Sequence, residues 1–260
     1  MRKYSIFLRA SLKAPLVKAV SIISLLFLLF LPYYIAFYSV EHKSMSLFKT
    51  YFSFPLVFNS TAIFQFYPSI LVGTVVVLIV TKAFEDGVFK IFLINGYTRR
   101  RIWTNSLLSC LLVSVLLFLI TAAIAFHIGY LKTGEIGGFG FNDFKWVVIY
   151  FFQTFMILLF ALSTALLVKH SGSAVFVYLV YLLLAERLLA QFMDFVLDLY
   201  PMFRFLPGKV IEDLTYLDPN TNFVIQYLDV QDERWLASIV WLIISLIGTY
   251  ILFKKANYSR

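Results

Sequence analysis

Six separate apolar runs, each about 20 residues long, constrain this chain more than any other feature of its sequence. A helix of about 20 apolar residues spans the roughly 30 Å hydrocarbon core of a bilayer. The chain is 61% hydrophobic and 14% charged, whereas soluble domains average about 25% charged residues. A soluble fold could not bury that much apolar surface, so the sequence predicts an integral membrane protein.

The predicted fold class is an all-α membrane protein with a single domain over residues 1–260. All the apolar runs are expected to be helices, because an isolated strand would leave backbone groups unpaired in lipid. The predicted spans are residues 17–38, 62–80, 106–126, 146–168, 174–189 and 236–253. Pro32 lies inside the first span and is expected to kink it, with neighbouring helices satisfying the carbonyl that the proline frees.

The basic residues predict the orientation of the spans. Fourteen of the 22 Lys and Arg residues fall on one side of the predicted bilayer and seven on the other, with Arg187 inside the fifth span. Cytoplasmic flanks carry the excess of Lys and Arg, so both termini are expected in the cytoplasm of a multi-pass protein, in the plasma (inner) membrane of a bacterium. The same charges suit anionic lipid headgroups, which makes the bilayer the expected partner and argues against nucleic acid.

Two segments outside the spans are also expected to be helical. Residues 1–18 place apolar side chains on one face and basic ones largely elsewhere, which predicts an interfacial amphipathic helix before the first span. Residues 190–235 mix apolar and acidic side chains and contain Pro201, Pro207 and Pro219. We expect short helices there, at the outer leaflet before the sixth span.

The sequence offers little material for catalysis. Its three histidines lie in distant segments without an H-E-x-x-H pair, and its single cysteine, Cys110, excludes an intrachain disulfide. No G-x-x-x-x-G-K-[ST] loop is present to cradle phosphates, so we expect no ATPase site, no catalytic residues, no metal and no cofactor in this chain. Glu186 and Arg187 lie well inside the fifth run and are candidates either for a substrate path or for anchoring at the outer headgroups.

The connection between the second and third spans is the most informative segment. Phe84, Val88 and Ile91 recur at helical spacing, which predicts a short amphipathic helix on the membrane surface. Asn95-Gly96 is a suitable helix stop, because either residue accepts a left-handed conformation. Thr98 is then expected to cap the next helix, and Arg99 and its two arginine neighbours to anchor it at the inner headgroups.

This connection resembles the cytosolic loop of type-2 ABC exporter permeases. The positions that match the pattern of that family, together with the neighbouring Phe84, are Glu85, Gly87, Lys90, Leu93, Gly96, Thr98 and Arg99. Thr98 stands where serine is commoner. The amphipathic N-terminus, the six spans and the larger outer segment before the last span are similar to the same family.

The resemblance implies a coupling helix that docks in a groove of a separate ABC ATPase subunit, which would bind the ATP. It also implies pairing with a second copy of the permease or with a paralogue around a central path. Two other functions stay open: a membrane-embedded lipid-modifying enzyme that uses the acidic outer segment, and a non-transporting membrane anchor or sensor. A neighbouring gene for a soluble ATPase would favour the permease.

Overall fold

The computed structural model describes residues 15–41, 52, 54, 56–135, 141–185, 188–189 and 231–255. The elements in these ranges are helices, and no strand occurs among them. The helices predicted over residues 1–18 and 190–235 lie almost entirely outside the described residues, and so do Glu186 and Arg187. The all-helical fold class is confirmed for the part of the chain that is described.

Eight helices follow one another along the described chain. They are α1 (Pro15–Glu41), α2 (Val57–Phe64), α3 (Phe66–Glu85), α4 (Val88–Ile94), α5 (Arg99–Thr133), α6 (Phe141–Val168), α7 (Ser171–Val180) and α8 (Gln231–Lys255). A π-helical turn, Tyr181–Ala185, continues α7.

Five segments in the described ranges are long and apolar enough to cross a membrane: Pro15–Phe37, Val57–Glu85, Arg99–Thr133, Phe144–Val168 and Leu236–Lys255. They coincide with five of the six predicted spans. At the fifth predicted position the helix Ser171–Ala185 is apolar but falls in the shorter class of 10–17 residues. The protein is therefore a multi-pass membrane protein with five membrane-crossing helices in its described part.

The segment Val57–Glu85 is divided at Gln65, which the sequence analysis did not predict. Gln65 separates α2 from α3 in a turn conformation. Pro68 lies three residues further on and has no backbone N–H, so the carbonyl of Phe64 loses its usual helical partner. The α-helix is interrupted at this one residue, although Val57–Glu85 as a whole is long and apolar enough to cross a membrane.

The centre of the bundle is the pair α3 and α6, against which α1, α5, α7 and α8 pack. Small and branched side chains, among them Val77, Ile157 and Ala161, are fully buried between them. Tyr178 of α7 closes over Gly73 of α3: a Cβ atom added at Gly73 would lie 1.9 Å from the Tyr178 hydroxyl oxygen. Glycine is required at position 73 by this close approach.

The two ends of the bundle differ in the number of basic residues that they carry. At one end, which we call the basic end, the Arg99 guanidinium donates a hydrogen bond to the carbonyl of Lys254. The basic residues of the neighbouring helix ends are Lys82, Lys90, Arg100, Arg101, Lys169 and Lys255. At the opposite end Lys132 donates to the carbonyl of Ala36 over 2.7 Å, and Tyr33 is hydrogen-bonded to His127.

Candidate functional site

Residues 84–101 form a compact elbow at the basic end, between α3 and α5. The first turn of the elbow is made by Gly87, whose φ of 65° is left-handed. The Gly87 N–H donates a hydrogen bond to the carbonyl of Phe84 in the last turn of α3. The Gly87 carbonyl accepts a hydrogen bond from the N–H of Ile91 in the first turn of α4. A Cβ atom at Gly87 would meet nothing within 4 Å. The backbone conformation, and not a neighbouring contact, requires glycine there.

The end of α4 is a complete Schellman motif. Gly96 takes the left-handed conformation, with a φ of 82°. Its N–H donates to the carbonyl of Leu93, and the N–H of Tyr97 donates to the carbonyl of Phe92, both over 3.0 Å. The rings of Phe92 and Tyr97 pack with centroids 5.5 Å apart, the apolar contact that accompanies this motif. The predicted stop at Asn95-Gly96 is confirmed, with Gly96 as the left-handed residue.

The predicted cap of the next helix is also confirmed. Thr98 is extended, and its hydroxyl oxygen accepts the N–H of Arg101 over 3.3 Å. The Arg101 guanidinium lies 5.0 Å from the centroid of the Tyr97 ring. The elbow is thus fixed at its start, at the end of α4 and at the start of α5 by bonds that close within a few residues.

The two faces of α4 have different surroundings. Phe89 and Phe92 are buried in a cluster that includes Ile102 of α5 and Phe253 of α8. On the other face the Lys90 side chain is exposed, Ile91 is 53% exposed and Ile94 is 76% exposed. The predicted surface helix begins at Val88, whereas Phe84 belongs to α3 and packs against Phe89 with ring centroids 4.5 Å apart and planes tilted by 44°. The helix is therefore fastened to the bundle on one side and presents an apolar stripe on the other.

The structure brings the predicted site residues together in this elbow. Gly87, Gly96 and Thr98 shape the backbone, Lys90 lies on the exposed face of α4, Leu93 is half-buried, and Arg99 contacts α8. Glu85 behaves differently from the others, because its carboxylate contacts α7: one oxygen accepts the N–H of Ser171 over 2.9 Å. Glu186 and Arg187, the suggested substrate path, lie outside the described residues.

A second polar site lies inside the bundle and was missed by the sequence analysis. Pro32 in α1 leaves the carbonyl of Leu28 without its helical donor. The side-chain amide of Gln65 donates to that carbonyl over 2.7 Å. The expectation that a neighbouring helical segment supplies a donor for the carbonyl freed by Pro32 is confirmed. The donor is Gln65, the residue between α2 and α3.

The carbonyl of Gln65 accepts the hydroxyl of Ser69, which also lies 2.7 Å from the hydroxyl of Tyr150 and 3.5 Å from that of Thr154. We call Gln65, Ser69, Tyr150 and Thr154, together with the Leu28 carbonyl, the polar layer. Every side chain in it is fully buried. The side-chain oxygen of Gln65 has no hydrogen-bond partner within the described structure. A signal was present in the sequence: a glutamine near a proline inside an apolar run marks a bend that needs polar partners.

The polar layer joins α1, the segment Val57–Glu85 and α6 through neutral groups. No group of three or more His, Cys, Asp or Glu side chains that could hold a metal occurs among the described residues. No protein-family model matches the chain, and no curated protein matches it either.

Proposed function

We propose that this chain is the membrane-spanning subunit of an ABC transporter, of the exporter type, that works with a separate ATPase subunit. The observation that carries the proposal is the two-faced α4. This short helix joins two membrane-crossing segments at the basic end, is anchored by Phe89 and Phe92, and exposes Ile91 and Ile94. Its position and its sequence pattern resemble the coupling helix of type-2 ABC exporter permeases.

The anchoring gives α4 the mechanical properties that such a role needs. Phe89 packs against Phe253 of α8 and, through its cluster, against Ile102 of α5. A force on the exposed face of α4 is then transmitted to two membrane-crossing helices as well as to α3. In this proposal the partner subunit binds ATP, since the chain has no phosphate-binding loop, and two permease copies or paralogues form the translocation path.

The proposal includes six crossings, with both termini in the cytoplasm of a bacterial inner membrane. α6 ends and α7 begins at the basic end, where Ser171 meets Glu85. α8 also ends there, because Lys254 contacts Arg99. Since α8 approaches from the opposite end, we propose that the chain crosses the membrane once more after Ser171, and that α7 is the start of this crossing, the fifth of the six in chain order. The excess of basic residues at the basic end supports its cytoplasmic orientation.

Cysteine labelling tests this orientation. After replacement of Cys110 by alanine, a single cysteine at Glu135 should react with an impermeant maleimide added to intact cells. A single cysteine at Lys255 should react only after the cells are permeabilised. Both positions are exposed, so the opposite pattern of labelling would refute the orientation.

The exposed face of α4 provides the test of the function. Ile94 lies in the last turn of α4, where a cationic side chain is compatible with the helix dipole. If Ile94 enters an apolar groove of the partner ATPase, Ile94→Lys should abolish copurification of that ATPase with this chain. ATP turnover by the complex should be lost with it. If α4 contacts only lipid, the added charge favours binding to anionic headgroups by about 1 kcal/mol.

Ile94→Met is the matched control, because it conserves volume and apolar character. We expect it to retain the partner at wild-type level when both variants are compared at equal membrane abundance. Full retention of the ATPase by Ile94→Lys, or failure of the wild-type chain to retain any ATPase, would contradict the proposed function.

A further inference from the structure

Glu85, one of the predicted coupling residues, contacts α7 through its side chain. It lies in the last turn of α3, and its Oε1 atom accepts the backbone N–H of Ser171, the first residue of α7, over 2.9 Å. Its Oε2 atom lies 3.6 Å from the ammonium group of Lys82. The residue before α7, His170, makes no side-chain capping bond. Glu85 therefore supplies the cap of α7 from another helix, where a carboxylate is favoured by the helix dipole.

A second contact joins the same two elements. Lys169 precedes α7, and its ammonium group lies 5.8 Å from the centroid of the Phe84 ring. The Phe84 ring in turn packs against the ring of Phe89 in α4, with the two planes tilted by 44°. The turn before α7 thus contacts the end of α3 and is connected through Phe84 to the start of α4.

A third contact lies roughly 18 Å further along α3, at Gly73, given the 1.5 Å rise per helical residue. The Tyr178 hydroxyl donates to the carbonyl of Ile70 over 3.2 Å, and the ring fills the space above Gly73. α7 is consequently fixed to α3 at two levels, immediately before it enters the π-helical turn Tyr181–Ala185.

We infer that Glu85 is a positioning residue that makes α7 move together with α3 and α4, and that it is not a docking contact for the partner. Displacement of α4 is passed through Glu85 to the first turn of α7 and onward to the π-helical turn. This inference rests on the proposed function only for the source of the displacement, which is the partner ATPase. The contacts that join α7 to α3, and through α3 to α4, are present in the chain by itself.

The structure offers a substitution that removes the hydrogen bond from the other side. Ser171 is the first residue of α7, a position at which proline is tolerated. His170 has φ −113° and ψ 127°, the extended conformation that a residue before proline prefers. Ser171→Pro therefore deletes the donor N–H while leaving the helix intact, and Glu85→Ala deletes the acceptor.

Asp86→Asn is the matched control. Asp86 is adjacent to Glu85, and its carboxylate lies 3.2 Å from the same lysine, Lys82. Lys82 belongs to α3, so this variant changes the local charge in the same way as loss of Glu85 and leaves the Glu85–Ser171 hydrogen bond in place. Spin labels are placed at Asn95, the exposed residue that ends α4 and is not one of the predicted coupling residues, and at Phe176, which is 69% exposed on α7, in a Cys110→Ala background.

The first measurement is the distance between the two labels for the chain alone in nanodiscs. We expect one narrow distribution for the wild-type chain and for Asp86→Asn, and a broadened distribution for Glu85→Ala and for Ser171→Pro. The double variant Glu85→Ala/Ser171→Pro should be no broader than either single one. Unchanged distributions in both single variants would overturn the inference, whatever the function of the protein is.

The second measurement uses the complex with the ATPase and a non-hydrolysable ATP analogue. In Glu85→Ala and in Ser171→Pro, the signal of the spin label on α4 should still change when the nucleotide analogue binds. The signal of the spin label on α7 should no longer change. A retained response on α7 would overturn the inference. A wild-type chain whose α4 label does not respond would instead contradict the proposed function, and the nanodisc distances would then decide the inference.

Discussion

The elbow and the polar layer both satisfy backbone groups that are left over where a helix ends or bends, but they do so over different distances along the chain. In the elbow, the N–H groups of Gly96 and Tyr97 bond to carbonyls within the preceding turn, and Thr98 bonds to Arg101. In the polar layer, Gln65 bonds to a residue 37 positions away, and Ser69 to one 81 positions away. The elbow is therefore a local structure, whereas the polar layer forms only when α1, the segment Val57–Glu85 and α6 have assembled.

The largest effect that separates the two regions is expected at Gln65. Gln65→Leu should lower the free energy of unfolding in detergent by about 1–2 kcal/mol, because the buried Leu28 carbonyl loses its donor. In a Pro32→Ala background the backbone N–H of residue 32 returns to that carbonyl, so the same substitution should cost much less. The measurement is a double-mutant cycle of the four proteins, monitored by SDS-induced unfolding.

Ser21→Ala serves as the control for this cycle, since the Ser21 hydroxyl bonds only to the Val17 carbonyl of its own helix over 2.7 Å. We expect little change in stability and no dependence on Pro32. An equal cost of Gln65→Leu in both backgrounds would show that the proline and the glutamine are not coupled.

A smaller and local effect is expected at Thr98. Thr98→Ala removes the cap of α5 and should weaken its first turn by about 1 kcal/mol, with little change in global unfolding because the rest of α5 remains packed. Hydrogen exchange of the Arg101 amide should accelerate by about fivefold, the factor that corresponds to 1 kcal/mol. Thr98→Ser keeps the hydroxyl, so its Arg101 amide should exchange at the wild-type rate. An unchanged exchange rate in Thr98→Ala would show that the Thr98 hydroxyl does not stabilise the first turn of α5.

The elbow could be predicted from the sequence because its determinants are adjacent in the chain. A glycine that accepts positive φ, a threonine before a helical run and three arginines after it are sufficient to locate the end of α4 and the start of α5. The apolar runs likewise located the five membrane-crossing helices, since length and hydropathy are properties of each run alone.

The contacts between helices could not be predicted in the same way. The sequence indicated that Pro32 frees a carbonyl, but any polar side chain in a neighbouring helix could have supplied the donor. The contact between Glu85 and α7 could not be predicted for the same reason, because nothing near Glu85 in the sequence reveals that α7 begins beside it. Such pairings depend on how the helices pack, which a single sequence does not specify.

The length of α5 has a further consequence for how the protein sits in its membrane. At 35 residues and 1.5 Å per residue, α5 is about 52 Å long, well beyond the roughly 30 Å of hydrocarbon. The overhang includes the turn that carries Arg99, Arg100 and Arg101, and with it the attachment point of α4. A helix that is longer than the hydrocarbon layer is accommodated by tilting, kinking or local thickening of the bilayer, so we expect a change of bilayer thickness to change the tilt of α5 and, with it, the position of α4.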